Sequence, residues 1–157
     1  MYILESTPFD ELYVDEEITL YREVIEQDID LFSTVSGDMN PIHLDEKYAR
    51  DTIFGERIAH GMLSGAIISA ALSCSLPGPG SVYLSQNLKF LSPIKIGDVI
   101  EIKLKVLEKI PQNRVKVSTQ IFNQTGKQLV DGDAFSYVPN EKQTVHVNSF
   151  PFLFKLV

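Results

Sequence analysis

Residues 58–76 read IAHGMLSGAIISAALSCSL, and this run is the strongest indicator of the architecture. Its side chains are apolar or small almost all the way round, and none is Asp, Glu, Lys or Arg. A helix without a charged face is a buried helix. The segment Pro77-Gly78-Pro79-Gly80 follows it and ends the helix firmly. The sequence therefore predicts one long buried helix near the middle of the chain.

The residues after this helix alternate in polarity as strands do. Residues 99–106 place every second side chain on one apolar face, and 115–121 alternate as well. Residues 123–126 (NQTG) predict a hairpin turn, and strands are also predicted at 18–24, 82–90 and 127–138. Short connections favour an antiparallel sheet over βαβ units. We expect an α+β fold in which a curved antiparallel sheet wraps around the long helix.

Composition and charge limit the number of domains, the partners and the compartment that are expected for this chain. A chain of 157 residues with 44% hydrophobic content predicts a single domain, which we place at 1–139. The net charge of −7 disfavours nucleic acid as a partner. No run of 18 apolar residues and no basic leader is present, so neither a membrane span nor a secretory signal is expected. The single Cys74 excludes an internal disulfide framework and fits a reducing compartment, the cytoplasm.

The C-terminal tail, residues 140–157, differs from the rest. Residues 140–148 are polar and resemble a linker, whereas 149–157 read SFPFLFKLV and are strongly apolar. That apolar end is too short to span a bilayer. We expect it to dock on its own domain or on a dimer mate, with a frayed end and a cover over the functional site as alternatives.

Before the long helix, residues 36–43 read SGDMNPIH and carry the chemistry. A short amphipathic helix at 27–36 ends at Gly37, because glycine takes φ > 0 without a Cβ clash. Pro41 fixes its own φ and biases Asn40 away from helix. We therefore expect a stiff extended turn, followed by a short helix at 45–50, that aims Asp38 and His43 at one point. A carboxylate and an imidazole that meet can hold and activate a water.

The spacing Gly37-Asp38-x-Asn40-Pro41-x-His43 resembles the MaoC-like family of (R)-specific enoyl-CoA hydratases and dehydratases. The resemblance extends to residues 58–63 (IAHGML), to 78–81 (GPGS) and to Pro93-x-x-x-Gly97-Asp98, and it covers roughly residues 18–138. It implies the hotdog fold, a curved antiparallel sheet around a long helix, and a homodimer. This agrees with the architecture that the patterns predict independently.

The resemblance also implies a reaction: reversible syn addition of water to a trans-2-enoyl thioester, which gives the (R)-3-hydroxyacyl product without a cofactor. By resemblance, Asp38 takes a proton from the water, and His43 helps to hold that water and takes part in proton delivery. Asn40 orients the loop or the water. The Gly61 N–H, at the start of the long helix, would bind the thioester oxygen, with helix–sheet packing as its alternative role. Ser69 lies near the substrate or bonds back to its own helix.

Several alternatives stay open. His60 could act in catalysis, but a packed or hydrogen-bonded structural histidine is favoured. Asp38 and His43 could ligate a metal, but the sequence shows no further ligand cluster, so no metal is expected. Rival functions are dehydration with acyl carrier protein as the handle, thioester hydrolysis, and non-catalytic thioester binding. Candidate partners for the coenzyme A phosphates are Arg57, Lys89 and Lys95, each of which could instead be a solvated surface charge.

Overall fold

The computed structural model describes residues 2–148, which form seven strands and four helices. The strands are β1 (Tyr2–Glu5), β2 (Glu17–Glu23), β3 (Val82–Phe90), β4 (Val99–Ile110), β5 (Arg114–Phe122), β6 (Gln128–Tyr137) and β7 (Thr144–Val147). The helices are α1 (Glu26–Ser36), α2 (Pro41–Leu44), α3 (Glu46–Arg50) and α4 (Gly61–Cys74). No helix among these residues has both the length and the apolar character that crossing a bilayer requires.

Five strands form one antiparallel sheet in the order β2-β4-β5-β6-β3. Apolar and polar side chains alternate along β4 and β5, and the apolar ones mark the inner face of the sheet. The predicted inner side chains of β4 are completely buried, and those of β5 follow the same rule: Ile100, Ile102, Leu104, Val106, Val115, Val117, Thr119 and Ile121. The intervening side chains of these strands are partly or fully exposed. The predicted antiparallel sheet and its hairpin at 123–126 are confirmed.

Helix α4 packs its apolar side onto the inner face of this sheet. Leu63, Ile67, Ile68, Ala71 and Leu72 join the buried side chains of β4, β5 and β6 in one hydrophobic cluster. The helix is shorter than the apolar run, because it begins only at Gly61, and Ile58 forms a β-bridge with Lys95 instead.

The prediction that α4 is buried all round is wrong for one side of the helix. Met62 is 58% exposed, and Ala66 and Ser73 on the same side are exposed too. A helix that lies on one face of a single sheet can bury only the stripe that faces the sheet. Within residues 2–148, this side of α4 is therefore left uncovered, and it carries no charge.

A second sheet joins the two ends of the described chain. β1 and β7 pair antiparallel, with Tyr2 opposite Val147 and Glu5 opposite Thr144. Part of the segment that resembles a linker in the sequence is therefore a strand, because β1 offers it a partner from the far end of the chain. Residues 149–157 lie outside the described residues, so the docking of that apolar end stays a prediction.

Gly132 in β6 allows β3 to approach closely. A Cβ at this position would lie 2.0 Å from the carbonyl oxygen of Asn87 in β3. We expect Gly132→Ala to lower the free energy of unfolding by about 3 kcal/mol, because the two strands must separate. Urea titration measures this, with Gly126→Ala as the control. A Cβ at Gly126 meets no atom within 4 Å, so only backbone strain of about 1–2 kcal/mol is expected there. Equal losses in the two variants would contradict the steric argument.

Candidate active site

The loop between α1 and α2 is held by a ladder of local hydrogen bonds. Gly37 ends α1 with a φ of 75°, as its sequence position predicts. The Asp38 N–H donates to Ser36 Oγ at 3.2 Å, and the Asn40 N–H donates to Asp38 Oδ1 at 3.1 Å. Asn40 Oδ1 then accepts from the Ile42 N–H at 3.2 Å. These bonds fix the Asp38 carboxylate relative to the residues that follow it.

The predicted extended turn over residues 38–43 is wrong in its second half. Pro41 begins the short helix α2, and Asn40 caps its N-terminus. Proline suits the first helical position because its missing N–H would find no partner there in any case. His43 therefore projects from a helical turn, yet it still reaches the same pocket as Asp38.

The His43 imidazole is buried, with 5% of its surface exposed. Its Nδ1 lies 2.8 Å from the carbonyl oxygen of Ile58. A carbonyl only accepts, so Nδ1 carries the proton and Nε2 offers a lone pair. Burial lowers the pKa of this imidazole below its usual value, and the neighbouring His60 lowers it further, against the opposing effects of the Ile58 hydrogen bond and the Asp38 carboxylate. His43 is therefore a neutral acceptor at neutral pH.

His60 is the third polar group of the site, and only 2% of its surface is exposed. Its ring stacks on that of His43 with centroids 3.8 Å apart. Its Nε2 lies 3.0 Å from the backbone oxygen of Asp38 and 3.2 Å from Ser33 Oγ. The expectation of a packed, hydrogen-bonded histidine therefore agrees with its position, although the sequence did not indicate Ser33 or the stacking.

These groups converge on a pocket of about 540 Å³. One ligand atom from each of Asp38, His43 and His60 lies within 4.8 Å of the other two. Two acceptors bridged by one water lie roughly 4.5 Å apart, so the carboxylate and an imidazole nitrogen can share a water. The rest of the wall is largely apolar and includes Ile42, Phe54, Ile58, Met62, Phe90, Leu91, Ile94 and Val130.

Gly61 lines the pocket at the first turn of α4. No side chain caps this helix end, and the Leu63 N–H donates to the His60 carbonyl, so the N–H groups of Gly61 and Met62 are the ones available to a ligand. A Cβ at Gly61 would lie 3.3 Å from the Phe90 ring, so glycine also permits close packing there. Ser64, which the sequence did not single out, lines the pocket and donates to the Gly61 carbonyl at 2.5 Å.

Two predicted site residues do not line this pocket. Asn40 acts on the loop through its cap of α2, and Ser69 lies two turns further along α4, partly buried. The loop-orienting alternative for Asn40 agrees with its hydrogen bonds. The substrate-binding role of Ser69 stays a prediction.

The same cluster has groups of the kind that ligate metals. His43 Nδ1 is committed to Ile58, and His60 Nε2 to Asp38 and Ser33, so each imidazole has one lone pair left. The two rings stack with centroids 3.8 Å apart, and one ligand atom from each of Asp38, His43 and His60 lies within 4.8 Å of the other two. The expectation that no metal is needed stays a prediction.

Comparison with known proteins identifies the family. The model of the MaoC-like domain matches residues 8–127, most of the chain. The chain belongs to the MaoC-like domain family. Among MaoC-like relatives, it is 41% identical to a 3-hydroxybutyryl-CoA dehydratase of Methylorubrum extorquens over 86% of either chain. It is 39% identical to an (R)-specific enoyl-CoA hydratase of Rhodospirillum rubrum, over 83% of this chain and 91% of that one.

A solved structure supports the hotdog fold of this MaoC-like chain. R-hydratase PhaJ1 from Pseudomonas aeruginosa, in its unliganded form, superposes with a TM-score of 0.91. The two sequences are 50% identical, and the match covers 96% of this chain and 97% of that one. The predicted α+β hotdog architecture is therefore confirmed.

The neutral state of His43 has a consequence for stability. In the unfolded chain this imidazole titrates near its usual pKa of about 6.5, whereas in the fold its pKa is lower. Between the two values the unfolded state binds more protons, so stability falls as the pH drops below about 6.5. We expect urea titrations at pH 7.5 and 5.5 to show a smaller difference for His43→Asn than for the wild type.

The matched control for this titration is the exposed His146 in β7. His146→Asn should keep the full pH dependence of the wild type, because this substitution removes a histidine at an exposed position and leaves the buried His43 in place. An unchanged slope in His43→Asn would contradict the neutral, buried state of His43.

Proposed function

We propose that this chain catalyses the reversible syn hydration of a trans-2-enoyl thioester to the (R)-3-hydroxyacyl thioester. The observation that carries this proposal is the placement of Asp38 and His43 within water-bridging distance in an apolar pocket. Relatives named as hydratase and dehydratase support it, since these two names describe the same reaction in opposite directions.

Asp38 and His43 act on different protons of the same water. Asp38 accepts one proton of the water, and His43 Nε2 accepts a hydrogen bond from the other. As Asp38 removes its proton, the water oxygen bonds to Cβ and the C=C electron pair moves onto the thioester oxygen. Asp38 then returns that proton to Cα. Because the water and the acid lie on one side of the substrate, both parts add to the same face.

Gly61 supplies the donor for the charge on the thioester oxygen. The available N–H groups of the first turn of α4 meet that oxygen at the positive end of the helix dipole. A donor that is fixed before the reaction stabilises the enolate-like state without reorganisation. The apolar wall of the pocket receives the acyl chain and excludes bulk water.

The test follows the loss of conjugated enoyl-thioester absorbance with crotonyl-CoA, with chiral analysis of the product. We expect rapid loss and the (R) alcohol. Absence of turnover with crotonyl-CoA, longer enoyl-CoA and acyl-carrier-protein thioesters would overturn the proposal. Release of free thiol in place of the alcohol would establish thioester hydrolysis instead.

The carrier of the acyl group needs a separate comparison of rates on coenzyme A and carrier-protein thioesters. Two of the three cationic side chains that could bind the coenzyme A phosphates already form ion pairs with carboxylates of this chain. Arg57 pairs with Glu26 and Glu46, and Lys95 pairs with Glu56. We propose coenzyme A as the carrier because the relatives of 41% and 39% identity are named for CoA substrates. Faster turnover of carrier-protein thioesters would reverse that choice.

We also propose that two copies pair through β3. This strand is an edge of the main sheet, and no strand of residues 2–148 pairs with its outer side. Large apolar side chains are exposed on it and just after it: Val82, Tyr83, Leu84, Phe90 and Leu91. An exposed apolar edge favours pairing, and a second copy offers an identical edge in the antiparallel direction. Phe90 and Leu91 also line the pocket, so this surface adjoins the site.

We expect light scattering to give twice the chain mass of 17.6 kDa for the wild type. Leu84→Lys should give the single-chain mass, because it places a charge at the centre of the proposed interface. Val14→Lys is the matched control, since Val14 is 49% exposed and lies just before β2, at the opposite edge of the main sheet. This control should stay at twice the chain mass. A wild type at 17.6 kDa would contradict the pairing.

A further inference from the structure

His60 is connected to both halves of the proposed chemistry. Its backbone immediately precedes Gly61, the proposed donor to the thioester oxygen. Its side chain reaches 22 positions back along the sequence to the backbone oxygen of Asp38, at 3.0 Å. One nearly inaccessible residue therefore joins the base to the start of α4.

The hydrogen-bond partners of His60 fix its tautomer. The Asp38 carbonyl only accepts, so His60 Nε2 carries a proton and donates it. Ser33 Oγ, at 3.2 Å, shares the same N–H. The other nitrogen, Nδ1, is buried and has no hydrogen-bond partner in the described chain.

His60 and His43 are thus two stacked imidazoles with opposite tautomers. His43 donates through Nδ1 to Ile58, and His60 donates through Nε2 to Asp38. Each ring therefore bonds to the backbone carbonyl of a different segment that lines the site. The two imidazole rings contact each other, and the centroid of the Phe32 ring lies 5.0 Å from that of His60. These contacts restrict the movement of both imidazoles.

The extended segment 58–60 anchors this arrangement. The Ile58 N–H donates to the Ile42 carbonyl, and the Ala59 N–H donates to the Ile94 carbonyl. The Ile58 carbonyl, which holds His43, and the His60 ring, which holds Asp38, therefore belong to one immobilised strip of chain. A buried acceptor without a partner costs free energy, so a purely structural role would be filled better by an apolar ring.

We propose that His60 is a positioning residue: its Nε2–H donates to the Asp38 backbone and fixes the base relative to His43 and to the Gly61 N–H. The inference rests on the proposed hydratase function. It predicts that loss of the donor slows the chemical step while substrate binding is retained. It also predicts that loss of the ring alone matters less, provided that a donor stays at the same place.

Two substitutions separate the donor from the ring. His60→Phe keeps an aromatic ring against His43 and removes the donor, whereas His60→Gln places an amide N–H near the position of Nε2. We expect kcat to fall about 100-fold in His60→Phe with KM unchanged, because the base shifts from its place. His60→Gln should recover activity to within about tenfold of the wild type. Ser33→Ala should cost less than about threefold, since it leaves the Asp38 carbonyl bonded.

A spectroscopic measurement tests the placement without substrate. In protein labelled with ¹⁵N-histidine, long-range ¹H–¹⁵N spectra distinguish the two neutral tautomers. We expect a protonated Nε2 for His60 and a protonated Nδ1 for His43 at pH 7, assigned by loss of signals in the variants. If the wild type turned over no enoyl thioester, the function would fail while these spectra still reported on His60.

Three results would overturn the inference: a His60 without a proton on Nε2 at pH 7, equal kcat for the Phe and Gln variants, or a rise in KM as large as the fall in kcat. If either variant unfolds, urea titration reveals it, and the spectra of the wild type decide alone.

Discussion

Asp38→Asn should lower kcat for enoyl-CoA hydration by about 10³-fold, which is within the usual range for loss of a general base. The amide has the shape of the carboxylate and can still accept from the Asn40 N–H at the position of Oδ1. It cannot take a proton from water, so the attacking oxygen stays a poor nucleophile. Steady-state loss of enoyl absorbance with crotonyl-CoA measures the effect.

The control for this substitution is Asp30→Asn, which removes the same charge from an exposed position of α1. We expect it to leave kcat at the level of the wild type. A fall of equal size in both variants would show that net charge, and not the base, matters. Retention of the wild-type rate in Asp38→Asn would refute the role of Asp38.

His43→Asn should lower kcat by about 10²-fold to 10³-fold. The asparagine amide can still donate to the Ile58 carbonyl, so the local structure is preserved. What is lost is the acceptor at Nε2 that orients the second proton of the water. Single-turnover measurements with crotonyl-CoA separate this effect from product release.

The pH profile of the wild type gives a second readout for His43. Because its pKa lies below the usual value, His43 stays a neutral acceptor as the pH falls through 6.5. We expect kcat/KM to hold its plateau through that pH and to fall only in more acidic solution. His146→Asn should share this profile, because His146 is exposed in β7. A fall centred at or above pH 6.5 would contradict the neutral, buried state of His43.

Local patterns predicted much of the fold, because most of its elements differ in local sequence. The alternation of residues 100–106 predicted both the strand β4 and its buried face. Gly37 predicted the end of α1, and residues 123–126 predicted the turn between β5 and β6. Each of these depends on residues that are neighbours in the chain.

Two errors have a shared cause. The apolar run at 58–76 predicted a helix buried on every side, but a single sheet covers only one side of α4. The segment 140–148 resembled a linker, but β1 pairs with part of it from the far end of the chain. In both cases the outcome depends on which surface the element meets, which the local sequence does not contain.

The proposed site likewise has a part that local sequence predicts and a part that depends on contacts between distant segments. Asp38 and His43 stand in one short motif, so residue spacing indicated that they meet. His60 lies 17 positions after His43, and Ser33 lies on the preceding helix. Nothing local shows that the His60 ring would stack on His43 or reach the Asp38 carbonyl. The available hint was His60 itself, a titratable side chain within the otherwise apolar or small run 58–76.

The pairing of β1 with β7 couples the local unfolding of the two ends of the described chain. Neither strand has another neighbour within residues 2–148, so one four-residue ladder holds both. When either end lifts away, the other loses its partners at once, and the two should open as a single cooperative unit. The amide hydrogens at 2–5 and at 144–147 that bond across this ladder should therefore report one common opening free energy in hydrogen exchange, lower than that of the bonded amides of β4 and β5.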